Sequence, residues 1–265
     1  MLLRLTDAVE VGFGTEDFSL FLHSVVRMHT PETVVELGTA LGMSAFWIAL
    51  ALKMNQKGHL WAVDNFELFE TKKSLVEETV VRLREADIIS LETSTAEEYY
   101  SRISRLFELD QYLTFVRSQI ALNEIGHFNN YPFAGKAIDL LFSDFEHGGL
   151  SIMALLGHFL PWMSPSSSIF IHSASTSWPS YLLLEQLVSQ VNAGKTPQLL
   201  QDFCSVDLSE FVRRRRIVLV HLTECKDRNQ NSAAWLKIEP VDVLPYPQSR
   251  MRGMSQKVVR RTGDG

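Results

Sequence analysis

Short apolar runs bounded by turn residues alternate with stretches of helical period along most of this chain. Thr33 to Leu37 is a β-type run introduced by Pro31, and His59 to Val63 follows a Lys57-Gly58 turn. Ile88 to Leu91, Ala137 to Phe142 and Ser168 to Ile171 supply three further strand candidates. Between them, Ser44 to Met54 is apolar almost all round, as a buried helix is. Glu70 to Glu85 is amphipathic, with Leu75, Val76, Thr79, Val80 and Leu83 on one face. Ala96 to Ile125 reads as mostly helical, broken near Asp110, and Gly126 to Gly135 as a loop. Leu150 to Trp162 and Trp178 to Val191 are two more helices; Pro179 sits in the first turn of the second, which stops at Gly194. Arg216 to Leu222 and Ala233 to Ile238 are strands joined by a polar loop too short for a crossover helix, so they pair antiparallel. This alternation predicts a doubly wound α/β fold, a mostly parallel sheet of about seven strands covered on both faces, with the last strand antiparallel.

Composition narrows the class. The 265 residues are 46% hydrophobic and 21% charged, which excludes a disordered chain and gives room for a large core. Two cysteines, Cys204 and Cys225, make neither a disulfide scaffold nor a metal-spaced pair. The net charge of -6 argues against nucleic acid as a partner. The run Arg213 to Arg216 precedes a strand and reads as a solvated sheet edge. Met1 to Leu5 is interrupted by Arg4, and Leu150 to Met163 by Gly157, His158 and Pro161, so neither a signal peptide nor a membrane span is expected. The expectation is a soluble cytoplasmic protein, a homodimer by default. It has an N-terminal helical cap over 1–30, a main domain over 31–240 with a helical insertion or lid at 97–135, and a flexible or interface tail over 241–265.

In open α/β sheets ligands bind beyond the C-terminal ends of the strands, at the switch in strand order. The residues falling there are Glu36 to Ser44, Asp64, Ser94 to Glu97, Asp144 to His147 and His172 to Ser177. Gly38 and Gly42 permit a tight turn into a helix N-terminus that favours an anionic group, to which the Ser44 hydroxyl can donate. The spacing is not G-x-G-x-x-G, so the dinucleotide fingerprint is absent. Asp64, ending the second strand, can accept two ribose hydroxyls or cap the next helix. Asp144, His147 and His172 place titratable groups at the same rim.

These motifs resemble those of class I S-adenosylmethionine-dependent methyltransferases, above all small-molecule O-methyltransferases of the catechol and caffeoyl-CoA kind and their bacterial natural-product relatives. Glu36-Leu37-Gly38-Thr39-Ala40-Leu41-Gly42-Met43-Ser44-Ala45, Trp61-Ala62-Val63-Asp64, Ile138 to His147 and Leu160 to Pro165 carry the likeness, in the family's order, over about residues 31–240. The resemblance implies a Rossmann-like domain with S-adenosyl-L-methionine as cofactor and S-adenosyl-L-homocysteine as product. It implies that Glu36, Gly38, Thr39 and Gly42 surround the methionine end, that Ser44 binds its carboxylate, and that Asp64 holds the ribose with Asn65 and Phe66 beside the adenosine. Thr95 and Ala96 would lie against adenine, and Asp144 would face the methionine amino group and the acceptor.

The sequence departs from the family where metal-dependent members carry a second Asp, after the fifth strand; here that place reads His172-Ser173-Ala174. Asp144 alone is a poor site for a hard divalent ion, so no metal is expected. A general base is needed instead, with His147 as the first candidate and His172 as the second, either of them oriented by Asp144. The N-terminal helix near Asp17 to Met28 and the aromatic stretch 97–135 would wall a small, flat or apolar acceptor, or simply pack as core. A cofactor-binding regulatory subunit without catalysis, and another nucleotide-dependent enzyme such as a reductase, are the alternatives.

Overall fold

The computed structural model describes residues 2–9, 16–89, 95–174, 178–223 and 232–241. Its strands are β1 (Thr33–Leu37), β2 (His59–Asp64), β3 (Leu113–Arg117), β4 (Ile138–Ser143), β5 (Met163–His172), β6 (Arg215–Thr223) and β7 (Ser232–Pro240). They form one sheet in the order β3-β2-β1-β4-β5-β7-β6. All pairs from β3 to β5 are parallel, and β7 runs antiparallel to both neighbours. The helices are α1 (Leu2–Val9), α2 (Glu16–His29), α3 (Met43–Asn55), α4 (Glu67–Thr71), α5 (Lys73–Glu85), α6 (Ala96–Leu106), α7 (Gly149–Phe159), α8 (Trp178–Asn192), α9 (Gln198–Gln201) and α10 (Ser209–Arg214).

Period-two alternation divides the strand side chains between two cores. Val34, Leu60, Ala62, Leu140, Phe142 and Phe170 meet α1, α2, α3, α5 and α6 on one face. Val35, Leu37, Val63, Leu141, Ile169 and Ile171 meet α7 and α8 on the other. α3 is apolar all round because it lies between the sheet and α2; Phe46, Ile48, Ala49 and Leu52 are fully buried. The Trp47 indole N–H donates to Thr6 Oγ1 at 3.0 Å, which ties α1 to α3. The N-terminal helices thus share the main core.

Two expectations about the middle of the chain are corrected. Ile88 and Ile89 lie outside any strand, with 90–94 beyond the described residues. The third strand is Leu113–Arg117, inside the stretch expected to be helical, because Thr114, Phe115 and Val116 pair with β2 at the sheet edge. Segment 97–135 is accordingly one helix, one strand and a loop with a single 3-10 turn at His127–Asn130, not a helical insertion. Its aromatics pack inward: Tyr99 and Tyr100 in the first core, Phe128 and Phe133 in the second. The Arg213 to Arg216 run divides between the end of α10 and the start of β6, where Arg214 pairs with Glu210 and Arg216 with Glu239.

Side chains close the fold at its margins. Asp139, at the N-terminal rim, accepts from Glu32 N–H (2.8 Å), Thr33 N–H (3.1 Å) and Ser164 Oγ (2.6 Å), joining the starts of β1, β4 and β5. At the outer edge, Asn192 on α8 donates to the Ile217 carbonyl and accepts from its N–H, both at 2.8 Å. No helix among the described residues is long and apolar enough to cross a membrane.

Candidate active site

The chain leaves β1 for β2 on one side of the sheet and returns to β4 on the other, so a crevice opens between the ends of β1 and β4. The turn from β1 into α3 forms its floor. Gly38 and Gly42 both take φ of 80°, and Ala40 takes 47°. A Cβ on Gly38 would sit 2.5 Å from the Asp144 carbonyl oxygen, a contact only glycine avoids. Gly38 N–H donates to Val63 O (3.0 Å) and Asp144 N–H to Leu37 O (2.9 Å), so the turn is tied to both neighbouring strand ends.

Asp64 is fully engaged in shaping this turn. Its Oδ2 accepts from Thr39 N–H at 2.7 Å and Ala40 N–H at 3.1 Å, and its Oδ1 from Phe66 N–H at 2.6 Å. Asp64 therefore braces the loop, and it caps the turn that leads from β2 into α4. Asp64→Ala leaves three amide donors without that acceptor. The expected loss is about 1–3 kcal/mol of stability, read by urea unfolding.

Glu36 is fully buried on β1. Its Oε1 accepts from the Ser44 hydroxyl, and its Oε2 has no hydrogen-bond partner among the described residues. Burial, reinforced by the nearby Asp144 and Asp64 carboxylates and opposed by Ser44, pushes its pKa up to about 8. Ser44 thus donates to Glu36, where the sequence suggested a ligand carboxylate. The Thr39 hydroxyl is buried and also without a partner.

Across the crevice, His172 Nδ1 lies 2.9 Å from Asp144 Oδ1 and 3.2 Å from Ser173 Oγ. The ring is buried and packs beside Phe18 of α2, with centroids 5.5 Å apart. His147 Nε2 is 4.0 Å from the same Asp144 oxygen, and its Nδ1 is buried without a partner among the described residues. The cavity is lined by Phe18, Ser19, Gly38 to Leu41, Met43, Ser44, Phe142, Asp144 and His172, and not by His147. Of the two histidine candidates, His172 lines this cavity.

Asn65 lies beside the end of β3, donating to Gln119 Oε1 at 3.1 Å. Thr95 caps α6 by accepting from Glu98 N–H, and Ala96 is buried in the first core. With β3 ending at Arg117, the strand-end position expected of Thr95 and Ala96 is taken by Ser118 and Gln119. Sequence reasoning missed both because it misplaced the strand. It expected α2 at the site but did not single out Phe18 or Ser19, whose helix carries ordinary amphipathic spacing. Among the described residues no group of three His, Cys, Asp or Glu side chains is arranged to hold a metal ion.

Residues 35–174 match the family model described as a methyltransferase domain. Among solved structures, a protein from Klebsiella pneumoniae proposed to be an O-methyltransferase aligns with a TM-score of 0.52 and 16% identity, over 90% of this chain and 89% of that one. An O-methyltransferase from Bacillus cereus in complex with SAH aligns with a TM-score of 0.52 and 12% identity, over 89% and 91%. At such identities the likeness is one of fold. A search of curated proteins finds no match.

Proposed function

This chain belongs to the methyltransferase domain family, an S-adenosylmethionine-dependent class of enzyme, and from that premise we propose that it methylates the hydroxyl oxygen of a small-molecule acceptor with His172 as general base. The observation that carries the reading is the His172–Asp144 pair, 2.9 Å apart and set into the wall of the crevice at the β1–β4 switch point. The O-methyltransferase likenesses are compatible with it at the level of fold.

The crevice residues fit the methyl donor on their own chemistry. Glu36, a carboxyl buried behind the crevice floor with one unsatisfied oxygen among the described residues, would suit an ammonium group, with Asp144 on the crevice lining. The Gly38–Gly42 turn brings main chain, not side chains, to the floor. Asp64 and Asn65 would flank the sugar, with Ser118 and Gln119 on the base side. When bound, S-adenosylmethionine supplies a methyl group on a positively charged sulfur. The protein's part is orientation and proton removal. With Nδ1–H donating to Asp144, the Asp144 carboxylate would stabilise the imidazolium formed when the ring takes the acceptor's proton. The imidazole at the end of β5, where a second carboxylate would serve a hard cation, favours a base over a divalent metal.

Calorimetry with S-adenosylhomocysteine tests the reading; failure of the wild type to bind would remove it. Glu36 adds a pH signature. An unfolded chain ionises this carboxyl near 4.5, whereas the folded one holds its proton to about 8. Its contribution to stability is complete below the lower value and is lost as pH rises through the upper one. Glu36→Gln should flatten that decline, as urea unfolding across the window would record. An ammonium ligand prefers the ionised carboxylate, so wild-type affinity should rise over the same window with release of up to one proton. Titrations in buffers of different ionisation enthalpy count that proton, and it should vanish in the variant.

A further inference from the structure

We infer that Tyr100 on α6 is a positioning residue for the methyl donor: its hydroxyl fixes the central peptide of the turn on the crevice floor, so that the main chain is set before the donor arrives. This rests on the methyl-transfer reading above and adds to it a residue outside the crevice lining.

The turn needs holding. Gly42 N–H donates to Thr39 O at 2.7 Å, so Ala40 and Leu41 are its central residues, and both line the crevice. Ala40 takes φ of 47°, a left-handed conformation that an L-residue keeps only where its surroundings impose it. Two side chains do so from opposite ends. Asp64 accepts from the Ala40 N–H at 3.1 Å, and the Tyr100 hydroxyl donates to the Ala40 carbonyl. Asp64 thereby orients the peptide before Ala40, and Tyr100 the peptide after it. Each peptide is planar, so fixing one of its polar atoms fixes the whole unit. With its oxygen turned to the phenol, the Ala40–Leu41 peptide does not aim that oxygen into the crevice. The opposite orientation would set a negative end of a dipole against any anionic group of a ligand.

The phenol is firmly seated. Its ring stacks on Phe115 of β3 with centroids 4.0 Å apart and planes at 18°, and Phe66 and Phe69 lie at 5.0 and 5.4 Å. A Cβ on Gly42 would stand 3.2 Å from its Cε1, so the ring also backs the second glycine of the turn. Phe66 N–H donates to the same Asp64, which links the two braces through one residue. Burial, reinforced by the nearby Asp64 carboxylate, holds the phenol well above its ordinary pKa, so it stays a donor at neutral pH. Its neighbour in sequence supplies the contrast. Tyr99 is fully buried on the same helix, yet its hydroxyl has no partner among the described residues.

Tyr100→Phe and Tyr99→Phe each remove one oxygen and keep the ring, so comparing them isolates the bond to the turn. In unliganded Tyr100→Phe, hydrogen exchange at the amides of residues 39–42 should quicken by at least about tenfold, with β4 and β5 unchanged. Saturating S-adenosylhomocysteine should slow it again. Calorimetry should show at least about tenfold weaker S-adenosylhomocysteine binding in Tyr100→Phe and an affinity within about twofold of wild type in Tyr99→Phe. Should Tyr100→Phe fold poorly, Phe115→Leu keeps the hydroxyl but loosens its seat, and both readings should move in the same direction. A purely structural role would lower the urea midpoint of Tyr100→Phe and leave the turn's exchange and the affinity of the folded fraction as in wild type. That result, or equal losses in the two tyrosine variants, would overturn the proposal. Failure of the wild type to bind S-adenosylhomocysteine would instead remove the methyl-transfer reading, and the exchange comparison, which needs no ligand, would still decide whether Tyr100 holds the turn.

Discussion

His172→Asn should lower kcat for methyl transfer by about 10²–10⁴-fold and leave S-adenosylhomocysteine affinity within about twofold. Asparagine retains a polar group near Asp144 but has no nitrogen that can accept a proton at neutral pH. The imidazole is held in place on several sides. Asp144 engages Nδ1, Ser173 Oγ approaches the same atom, and Phe18 packs against the ring. Ser173 itself adopts φ of 56°, a left-handed turn directly after β5 that closes back on β7 through its N–H to Ser232 O at 2.6 Å. His147→Asn serves as the counterpart. That ring is outside the cavity lining and farther from Asp144, so kcat should stay within about fivefold. Steady-state kinetics of the two variants side by side decide the assignment; a large loss in His147→Asn with activity kept in His172→Asn would reverse it.

Gly38→Ala should damage both fold and binding. The left-handed backbone alone costs an L-residue about 1–2 kcal/mol, and the new Cβ would press into the Asp144 carbonyl. That carbonyl belongs to the residue orienting His172, so displacement passes directly into the crevice. Unfolding should shift down by about 2–4 °C per kcal/mol lost, and calorimetry on the folded protein should show at least about tenfold weaker S-adenosylhomocysteine binding. Gly58→Ala makes the comparison informative. Gly58 has φ of 88°, and its added Cβ would meet the Pro31 carbonyl at 2.2 Å, but this turn precedes β2 at the opposite rim. It should cost stability and leave the affinity of the folded fraction intact. If Gly38→Ala behaved as Gly58→Ala does, the turn would be a structural bend and nothing more.

Buried strands were legible in the sequence for a simple reason. β1, β2 and β4 lie in the middle of the sheet with both faces covered, so nearly every position is apolar and the run stands out. β3 lies at the edge, with only Leu113 buried, and its five residues carry a mixed pattern that merges with the helix before it. Ile88 and Ile89 imitate a strand because they are β-branched, yet they follow α5 as a turn packed on the first core. β5 is longer than its apolar run: Ser164 donates its hydroxyl to Asp139 on β4 and Ser167 to the Ser164 carbonyl, so polar residues extend the strand.

For the site, local motifs located the crevice but not the division of labour within it. Gly38, Gly42 and Glu36 were readable because each stands out against its run: two glycines in a turn, one acid in a buried strand. The choice between His147 and His172 depends on which ring enters the cavity, a fact of tertiary packing by α2 from some 150 residues away in sequence. Phe18 had no local signal at all. It reaches the cavity only because α2 folds across the strand ends.

Asn192 has a consequence for the life of the molecule at high concentration. An outer strand with unspent amide groups is a template on which a stray chain can add, and repetition of that event builds fibrils. By engaging both main-chain groups of Ile217, the carboxamide acts as an artificial neighbour one residue wide. Growth of the sheet is interrupted near the start of β6, where β-sheet aggregation would otherwise find a foothold.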